Sequence, residues 1–561
     1  MNRLIRLKYL LFIIFPVALS CSHDDSAPPP DKGVPVIELN SNEQEYKIKI
    51  GGSVALSASV NNAERPAFSW KVGGKIVSTE TSFTFVAEKL GEYFVNFRVD
   101  AENGSAEVQL KISVLEKLPP KITMQSPIPV SIGKDSLLVA EAENAENATY
   151  VWKHEGEVIS RDSTCLFGKK EEMGDHIFTL KVSTKDGEDL TTIIVKVLPA
   201  LDPELFFDDG KYRTVNNKDY LRTMSVPIDR NRLVLAPVIC NIKNPTTFEW
   251  KVDGAVQAAT GEYFTFEPTR EGEYLISVKE LSTQASAEVK VTCTPPEGTY
   301  RRSEGEKALP NKVYSYIPAP GQFINYQSGT VQSVLNTQQT NVNKGTIGMI
   351  GAYGGYFIVG FDHSVANVSG RPDLESEGNA FVGWCEPGIL WVMQDDNGNG
   401  LPDDTWYELK GSETGKPETK QRYAITYYKP TAPNSNVLWT DNVGRSGSVD
   451  WNGYHTQQYY FPMFIPENYY MLTGTCLAST SGMSGTIETS SCYDWGYADN
   501  LSNNPDRPTN RFWIEDAIQA DGSPVTLKYI DFVKMHTATT GKGAAVGEIS
   551  TEAGLPIDLG F

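Results

Sequence analysis

A pattern that occurs three times along the first half of the chain constrains the fold more than any other feature. Each copy places an aromatic residue two positions before a Trp-Lys pair, at Trp70, Trp152 and Trp250. A Gly-acid-aromatic triplet begins 21, 22 and 22 residues after these tryptophans, and short alternating apolar runs flank each copy. An internal repeat of this kind predicts one supersecondary unit that is used three times.

About seven short alternating strands around one central tryptophan are typical of an immunoglobulin-like sandwich. The three copies resemble PKD-like modules, which are common in bacterial surface proteins, and we place them at residues 34–116, 117–199 and 200–294. The tryptophans are expected to fill the module cores rather than to bind a ligand. The resemblance implies a stalk of spacers, although such modules can also bind sugars.

After a linker at residues 295–311, residues 312–561 have a different texture, and seven of the ten tryptophans lie there. Short runs rich in β-branched and aromatic residues alternate with loops of Gly, Asn, Asp and Ser, which predicts a jelly-roll-like β-sandwich. The runs that we interpret as strands are YFIVGFDHSV, GILWVMQ, TWYELKG, RYAITYYKP and YIDFVKMHTA. No helical periodicity of useful length appears, and RFWIEDAIQ is expected to form a single turn or short helix. The chain is therefore predicted to be all-β.

The segment between two of these strands, QDDNGNGLPDD, looks like a calcium-binding loop. Oxygen donors alternate there as in an EF-hand, with Gly400 at the turn, and the candidate ligands are Asp395, Asn397, Asn399, Asp403 and Asp404. The flanking helices are missing and Trp406 stands at the twelfth position, so Asp404 or Glu408 would have to complete the shell. A structural calcium site and a hydrogen-bonded Asx-rich turn both remain open. Either would fix a hairpin loop rather than perform chemistry.

Catalytic motifs are absent from the sequence, including G-x-S-x-G, H-E-x-x-H and the P-loop pattern. His363 stands beside Asp362 and could act as a base, but we prefer to interpret it as a hydrogen-bonded structural histidine at a strand end. A glycosidase needs only two carboxylates, and acids in predicted loops are Glu386, Asp404, Asp494 and Asp499. So many acids carry little information, and we predict a protein that is not an enzyme.

Two long polar loops, at residues 444–462 and 490–500, are rich in Trp and Tyr. Loops at one end of a β-sandwich commonly hold ligands, and flat rings beside flexible amides suit a large, mostly neutral ligand. Packing of the loops on each other is the alternative. The predicted ligand-binding residues are Trp451, Tyr454, His455, Tyr459, Tyr493, Trp495, Tyr497 and Asn500.

The N-terminus reads as an export and anchoring signal. Residues 1–20 have a cationic start and a short apolar core, which is typical of a secretory signal peptide. Ala18-Leu19-Ser20-Cys21 resembles a bacterial lipobox, in which Cys21 is acylated, and an ordinary signal peptide with a stray Cys is the alternative. Residues 21–33 would then be an extended tether, whose acidic start resembles a signal for export to the cell surface.

Charge and cysteine content narrow the range of partners. The formal net charge of −20 argues against nucleic acid and anionic lipid as partners.

Six cysteines follow Cys21 without a CxxC pattern, so zinc is not expected. In an oxidising compartment we predict the pairs Cys240–Cys293 and Cys476–Cys492.

Together, the lipobox, the repeats and the stretches NGNGLPDDTWYEL and WGYADN resemble surface lipoproteins of Bacteroidota that bind vitamin B12. The resemblance covers nearly the whole chain. It implies that the C-terminal domain captures a cobamide at the outer membrane for a TonB-dependent transporter. Cobalt ligation of the D-x-H-x-x-G kind is not supported, since Asp362 and His363 are adjacent. Glycan capture fits the same loops, and a purely structural adhesin is a further alternative.

Overall fold

The computed structural model covers both halves of the chain. It describes residues 34–39, 45–170, 172–199, 202–298, 301, 307–325, 329–453, 457–484, 487–543, 546–552 and 554–561. The chain divides into two compact units, Met1–Glu116 and Lys117–Phe561. Within the described ranges, no helix is long and apolar enough to cross a membrane. The predicted signal peptide, Cys21 and the tether lie outside the described residues.

The first unit is a β-sandwich. Its strands are β1 (Val36–Leu39), β2 (Glu45–Lys49), β3 (Ser53–Asn61), β4 (Ala67–Val72), β5 (Lys75–Ser78), β6 (Ser82–Val86), β7 (Gly91–Ala101) and β8 (Gly104–Leu115). They form a five-stranded sheet of order β2-β8-β7-β4-β5 and a three-stranded sheet of order β1-β3-β6. Alternate residues of β7, such as Val95 and Phe97, are buried with Trp70 and with Leu56 of β3 in one core. Period-2 alternation therefore positions one face of each strand toward the core.

The second unit begins with two further modules of the same kind. Module 2 contains β9 (Lys121–Ile122), β10 (Ile128–Ser131), β11 (Ser136–Val139), β12 (Ala142–Glu143), β13 (Thr149–His154), β14 (Glu157–Ser160), β15 (Thr164–Phe167), β16 (Gly174–Thr184) and β17 (Gly187–Leu198). Module 3 contains β18 (Glu204–Phe206), β19 (Arg222–Pro227), β20 (Leu233–Leu235), β21 (Val238–Cys240), β22 (Phe248–Val252), β23 (Ala255–Val256), β24 (Phe264–Phe266), β25 (Gly272–Glu280) and β26 (Ser286–Thr294).

The three modules share one topology. Sheets of order β10-β17-β16-β13-β14 and β19-β26-β25-β22-β23 repeat the arrangement of the first unit. In all three modules the edge strand runs parallel to its neighbour, as β2 does to β8, β10 to β17 and β19 to β26. The repeated tryptophans are fully buried, which confirms their prediction as core residues: Trp70, Trp152 and Trp250. The triplet has a structural cause in two modules, because the hydroxyls of Tyr93 and Tyr274 donate to the carbonyls of Lys89 and Arg270 at 2.9 Å. Each bond closes a tyrosine corner.

The C-terminal domain is a larger sandwich. Its elements are β27 (Lys312–Ile317), α1 (Val331–Val342), β28 (Tyr356–Ala366), β29 (Leu374–Glu375), β30 (Gly388–Met393), β31 (Tyr407–Leu409), β32 (Lys420–Tyr428), β33 (Val437–Asp441), β34 (Ser446–Val449), β35 (Tyr469–Cys476), β36 (Ser481–Ser484), β37 (Ile487–Ser490), β38 (Arg511–Phe512), a 3-10 turn (Ile514–Asp516), β39 (Ala517–Ile518), β40 (Tyr529–Thr537) and β41 (Ile557–Asp558). A sheet of order β27-β28-β40-β30-β31-β39 and a sheet of order β34-β33-β32-β35 enclose the core.

The predicted fold class is confirmed, since every module is a β-sandwich and the chain is nearly all-β. The five runs interpreted as strands overlap β28, β30, β31, β32 and β40 to within two residues at their ends, and RFWIEDAIQ contains the 3-10 turn. The expectation of no useful helix was wrong, because α1 is a 12-residue helix capped by the hydroxyl of Thr330. Its buried positions are Val334, Gln338 and Val342. The polar Gln338 interrupts the apolar period, which is why the pattern was missed.

Both predicted disulfides were also wrong. The structure pairs Cys385 with Cys492, 107 residues apart, with their Cα atoms 5.0 Å from each other. Cys240 packs with Phe206 and Met471, whereas Cys293 lies in the core of module 3, so the two thiols belong to different apolar clusters. Cys476 is a buried free cysteine at the end of β35. Spacing in sequence contains no information about which cysteines the sheets bring together.

Candidate ligand-binding site

The acidic segment that suggested calcium connects β30 and β31, which pair as an antiparallel hairpin as predicted. The backbone N–H groups of Asn399 and Gly400 donate to the two carboxylate oxygens of Asp395, both at 3.0 Å. The side-chain amide of Asn399 donates to both oxygens of Asp403 at 3.1 Å. These contacts are those of a hydrogen-bonded, Asx-rich turn.

The same contacts test whether calcium fits the turn. The amide of Asn397 donates to Asp403 and Asp404, where an ion would require amide oxygens. Glu408, a candidate to complete the shell, instead accepts from the hydroxyl of Thr475. Within the part of the chain that the structure describes, no three acidic, His or Cys side chains are placed to hold a metal. In this arrangement the predicted ligands Asp395, Asn397, Asn399, Asp403 and Asp404 form the hydrogen-bonded turn, and a calcium site there stays a prediction.

The turn has a different role, which the sequence analysis missed. We call residues 394–405 the docking hairpin, because it binds module 3. Asp396 accepts from the Ser225 hydroxyl at 2.9 Å and from the Arg230 guanidinium at 3.3 Å. Thr405 accepts from the Ser225 backbone N–H at 3.0 Å and donates to its carbonyl at 2.6 Å. A second acid directly after the first calcium-like position was the available signal, and we passed over it.

The predicted aromatic loops are packed more closely than expected. Trp451 is half-buried against the domain core, and its indole N–H donates to the carbonyl of Gln457 at 2.9 Å. Tyr459 is half-buried, and its carbonyl accepts from the Asn325 amide at 2.7 Å. Tyr454 and His455 lie outside the described residues. In its described residues this loop therefore offers partly exposed aromatic faces.

Three residues of the second loop need correction, because the structure buries them. Tyr493 and Tyr497 belong to an apolar cluster, and the Tyr497 hydroxyl accepts from the Glu413 backbone at 3.0 Å. Asn500 clamps the loop by accepting from the N–H of Tyr493 at 2.8 Å and donating to its carbonyl at 2.9 Å. Tyr493, Tyr497 and Asn500 are therefore structural in this arrangement. For these three residues, the alternative given above, in which the loops pack against the protein itself, describes the structure.

A neighbouring segment supplies the exposed surface instead. We call residues 378–385 the stapled loop, because the Cys385–Cys492 disulfide joins its end to the second aromatic loop. The backbone groups of Phe381 and Trp384 bond to each other at 3.0 and 2.9 Å, and Ser490 bonds to the carbonyl of Gly383 at 2.9 Å. Phe381 is 62% exposed and Val382 is 89% exposed. A rigid backbone thus holds two apolar side chains in solvent.

Trp495 lies in the same loop as Cys492, three residues after the disulfide. It is half-buried, and the guanidinium of Arg507 lies 5.1 Å from its ring centroid. The cation holds the ring by a cation–π contact. Of the predicted ligand-binding residues in the second loop, Trp495 is therefore the one that keeps a partly exposed ring.

Carboxyl groups lie behind this surface. Asp499 accepts from the N–H groups of Asn379 at 3.0 Å and Glu552 at 2.9 Å. Burial raises the pKa of Glu386 well above its usual range, and the negative charge of Asp499 adds to the effect. Burial also raises the pKa of Glu548 to about 7. Near pH 7 Glu548 is therefore in part an uncharged carboxylic acid, which can both donate and accept hydrogen bonds.

The other candidates for catalysis do not converge. His363 is fully buried, with Nδ1 2.8 Å from Asp362 and Nε2 3.1 Å from Asp558. This confirms the interpretation as a structural histidine. Asp404 belongs to the docking hairpin and Asp494 is exposed, so the four acids proposed for a glycosidase are not one site.

A family model described as a PKD-like domain matches residues 34–101 and 119–184. The chain therefore contains PKD-like domains in its first two repeats, and module 3 lies outside the matched ranges although its topology is the same. Domains of this class are typically non-catalytic. No curated protein matches the chain.

Solved structures with similar folds are chains of fibronectin-like or immunoglobulin-like domains. Fibronectin(III)-like modules of CbhA from Clostridium thermocellum are 15% identical and cover 29% of this chain and 95% of their own, with a TM-score of 0.17. An I-band fragment of titin is 10% identical and covers 47% of this chain and 99% of its own, with a TM-score of 0.14. Extracellular domains of Drosophila OTK are 14% identical and cover 48% of this chain and 98% of their own, with a TM-score of 0.17. At these low scores the matches carry no functional argument.

Proposed function

We propose that the protein is a surface-anchored lipoprotein whose C-terminal domain captures a cobamide for hand-over to an outer-membrane transporter. The observation that carries the proposal is the exposure of Phe381 and Val382 on a loop fixed by a disulfide. Two adjacent apolar side chains held in solvent on a rigid base form a small apolar surface that a partner can cover. A rigid base also lowers the entropy cost of binding.

The chemistry around the stapled loop suits a ligand that is both apolar and rich in amides. Trp384 and Trp495 offer partly exposed aromatic faces. Asn379, at the start of the loop, donates its side-chain amide to Glu552. Burial favours the uncharged form of Glu386, and a carboxylic acid can accept from and donate to amides without demanding a charged partner. A cobamide presents an apolar ring edge and amide arms, and would use both features.

Surface attachment is the second part of the proposal. Acylation at Cys21 and the acidic tether would place the modules on the outer face of the outer membrane. Two tests address this part alone: incorporation of a labelled fatty acid that is lost in Cys21→Ala, and digestion of the modules by protease added to intact cells. Absence of labelling would remove the anchor and leave the binding proposal to be judged on its own.

A glycan is the second candidate ligand, because the half-buried faces of Trp451 and Trp495 could stack on sugar rings. A structural adhesin is the third. The glycan and the cobamide differ in what they require from the exposed loop, since a stacked sugar depends on the tryptophans and a cobamide also uses the apolar side chains of Phe381 and Val382.

Calorimetric titration of the anchor-free chain with cyanocobalamin, beside a panel of host and plant glycans, tests the proposal. We expect stoichiometric cobalamin binding that weakens at least tenfold, about 1.4 kcal/mol, when Phe381 and Val382 are both changed to Ser. The matched control is Ile76→Ser, which removes an equally exposed apolar side chain from the first unit. Binding of a glycan alone would assign the protein to the carbohydrate class. Silence with both ligands would overturn capture and favour the adhesin.

A further inference from the structure

A cavity of about 110 Å³ lies between module 3 and the C-terminal sandwich, away from the stapled loop. Module 3 contributes residues 233–236 and the segment before β19, and the sandwich contributes side chains from β30, β31, β35 and β40. The site therefore exists only because module 3 docks on the C-terminal domain. Its volume is somewhat smaller than that of an engineered cavity of about 150 Å³ that takes up benzene.

One row of side chains across the large sheet defines the floor of the cavity. Trp391 of β30 is paired with Lys534 of β40 on one side and with Glu408 of β31 on the other. Residues directly opposite each other in a sheet lie on the same face. All three line the cavity, so an indole separates a buried lysine from a buried glutamate.

Glu408 is a buried acid without a cationic partner. Its side chain receives one hydrogen bond, from the Thr475 hydroxyl. Among the described residues, no Lys, Arg or His lies within ion-pair distance of it. Burial raises its pKa to about 7. A buried carboxylate in this position is costly unless a positive charge comes to it.

A chain of hydrogen bonds fixes the groups around Glu408. The Trp391 indole N–H donates to Nδ1 of His536 at 3.1 Å, and an indole can only donate. The ring proton of His536 is therefore on Nε2, which donates to the carbonyl of Thr475 at 3.0 Å. Burial lowers the pKa of His536 to about 3, so this ring stays neutral and cannot neutralise Glu408.

The other charges at the cavity are already satisfied. Lys534 donates to the carbonyl of Gly210 at 3.0 Å and lies 4.6 Å from the ring centroid of Tyr356. Arg422 forms an ion pair with Glu262 at 2.9 Å. Asp208, the other acid that lines the cavity, accepts from the Thr473 hydroxyl at 2.6 Å and interacts electrostatically with Lys534. Glu408 is thus the lining acid beside which the structure, in its described residues, places no cation.

We propose that this cavity binds a small organic ammonium ion, with its nitrogen against the carboxylate of Glu408 and its carbon atoms against Trp391 and Trp406. Aromatic faces beside a carboxylate attract alkylammonium ions by combining cation–π and ion-pair energy. On the side of module 3, the aliphatic side chain of Val234 suits the alkyl part, since Val234 alternates with the core residues Leu233 and Leu235. This inference is independent of cobamide capture at the stapled loop, because the cavity is lined by other residues and is large enough only for a small molecule.

A polar cleft adjoins the cavity. Arg422 and Gln421 line both the cavity and a polar cleft bounded by Asn241 and Glu262. Rotation of the Arg422 side chain would connect the two spaces. A small cation therefore has a route to Glu408 that leaves the sheets intact.

Titration of the whole anchor-free chain with choline, ethanolamine and tetramethylammonium tests the proposal. The matched probe is 3,3-dimethyl-1-butanol, which has the shape of choline without its charge. We expect at least one ammonium ion to bind at least tenfold more tightly than this alcohol. Equal affinity for choline and the neutral alcohol, or no binding of any ammonium ion, would overturn the proposal.

Three variants locate the site. Glu408→Gln should weaken ammonium binding at least tenfold, whereas Glu418→Gln, which changes an exposed acid nearby in sequence, should not. Ala236→Leu fills the cavity from module 3 without touching Glu408, so it should also abolish binding and guards against misfolding of the first variant. Binding that survives both Glu408→Gln and Ala236→Leu would place the ammonium ion elsewhere and contradict the assignment.

Discussion

At the scale of single residues, Glu548 couples the C-terminal domain to pH. Its Oε1 accepts from the backbone of Gln322 at 2.7 Å, while Oε2 is buried without a partner among the described residues. The folded pKa is raised from 4.5 to about 7, so the folded state holds the proton more tightly than the unfolded state. The proton on Glu548 therefore stabilises the folded state. This contribution to the free energy of unfolding is about 3 kcal/mol; it is fully present below about pH 4.5 and is lost as pH rises through 7.

We therefore expect Glu548→Gln to flatten the pH dependence of stability between pH 4.5 and 7.5. The measurement is the midpoint of the C-terminal unfolding transition at a series of pH values, with the exposed Glu418→Gln as control. Other buried acids also make the midpoint depend on pH, so we compare the slope of midpoint against pH in Glu548→Gln with the slope in wild type. A slope identical to that of wild type would contradict the assigned cause.

The disulfide is a second residue-scale feature with a direct test. Cys385 and Cys492 close a loop of about 107 residues, and native bridges of this kind contribute about 2–5 kcal/mol. We expect dithiothreitol to lower the melting temperature of the wild-type chain and to have no effect on a Cys385→Ala/Cys492→Ala variant. Equal sensitivity of both proteins to reductant would show that another group is responsible.

Residue roles were predictable where burial followed from strand alternation. Trp152 and Trp250 were assigned to cores because each stands in an alternating run. Tyr493 and Asn500 were misplaced, because the loop that contains them bends back on itself and no periodicity signals such a bend. Phe381 was overlooked for the same reason, since its exposure depends on a disulfide partner that is distant in sequence.

At the scale of elements, the docking hairpin explains why an acidic turn stands between two buried strands. The Arg230 side chain is 7% exposed and bonds to Asp396, Glu297 and the hydroxyl of Tyr407 at 3.2–3.3 Å. Removing one member of a buried ion pair leaves the others uncompensated. The calcium-like spacing of the turn predicted its conformation but not its partner, because the partner belongs to another module.

Arg230→Ala is accordingly expected to destabilise the second unit by about 3 kcal/mol or more. The control is Arg65→Ala, which breaks an exposed pair with Glu102 and should cost about 1 kcal/mol or less. Urea unfolding of both variants provides the comparison. Similar losses in the two proteins would mean that the hairpin does not hold module 3.

At the scale of the whole molecule, the first repeat and the third differ in role although they share a topology. The first lies in a compact unit of its own, whereas the third is bonded to the C-terminal domain through the docking hairpin and through Arg213, whose backbone pairs with that of Met471. The repeat pattern predicted three sandwiches and could not predict this difference. The contacts that join module 3 to the C-terminal domain link residues that are far apart in the sequence, such as Ser225 with Asp396 and Arg213 with Met471.

We expect this difference to appear in unfolding. Trp70→Ala should lower the melting temperature of the first unit alone, whereas Trp250→Ala should lower that of module 3 and the C-terminal domain together. Each removes a fully buried indole, at a cost of about 3–5 kcal/mol. Scanning calorimetry separates the transitions, and an unchanged C-terminal transition in Trp250→Ala would contradict the coupling.

The central claim is that the stapled loop and its neighbours capture a cobamide. Hydrogen–deuterium exchange of the anchor-free chain, with and without saturating cyanocobalamin, tests it most directly. Slower exchange on ligand addition is predicted at residues 379–385 and 490–497, with no change in residues 45–116. Protection confined to the modules, or no protection at the stapled loop, would contradict the account.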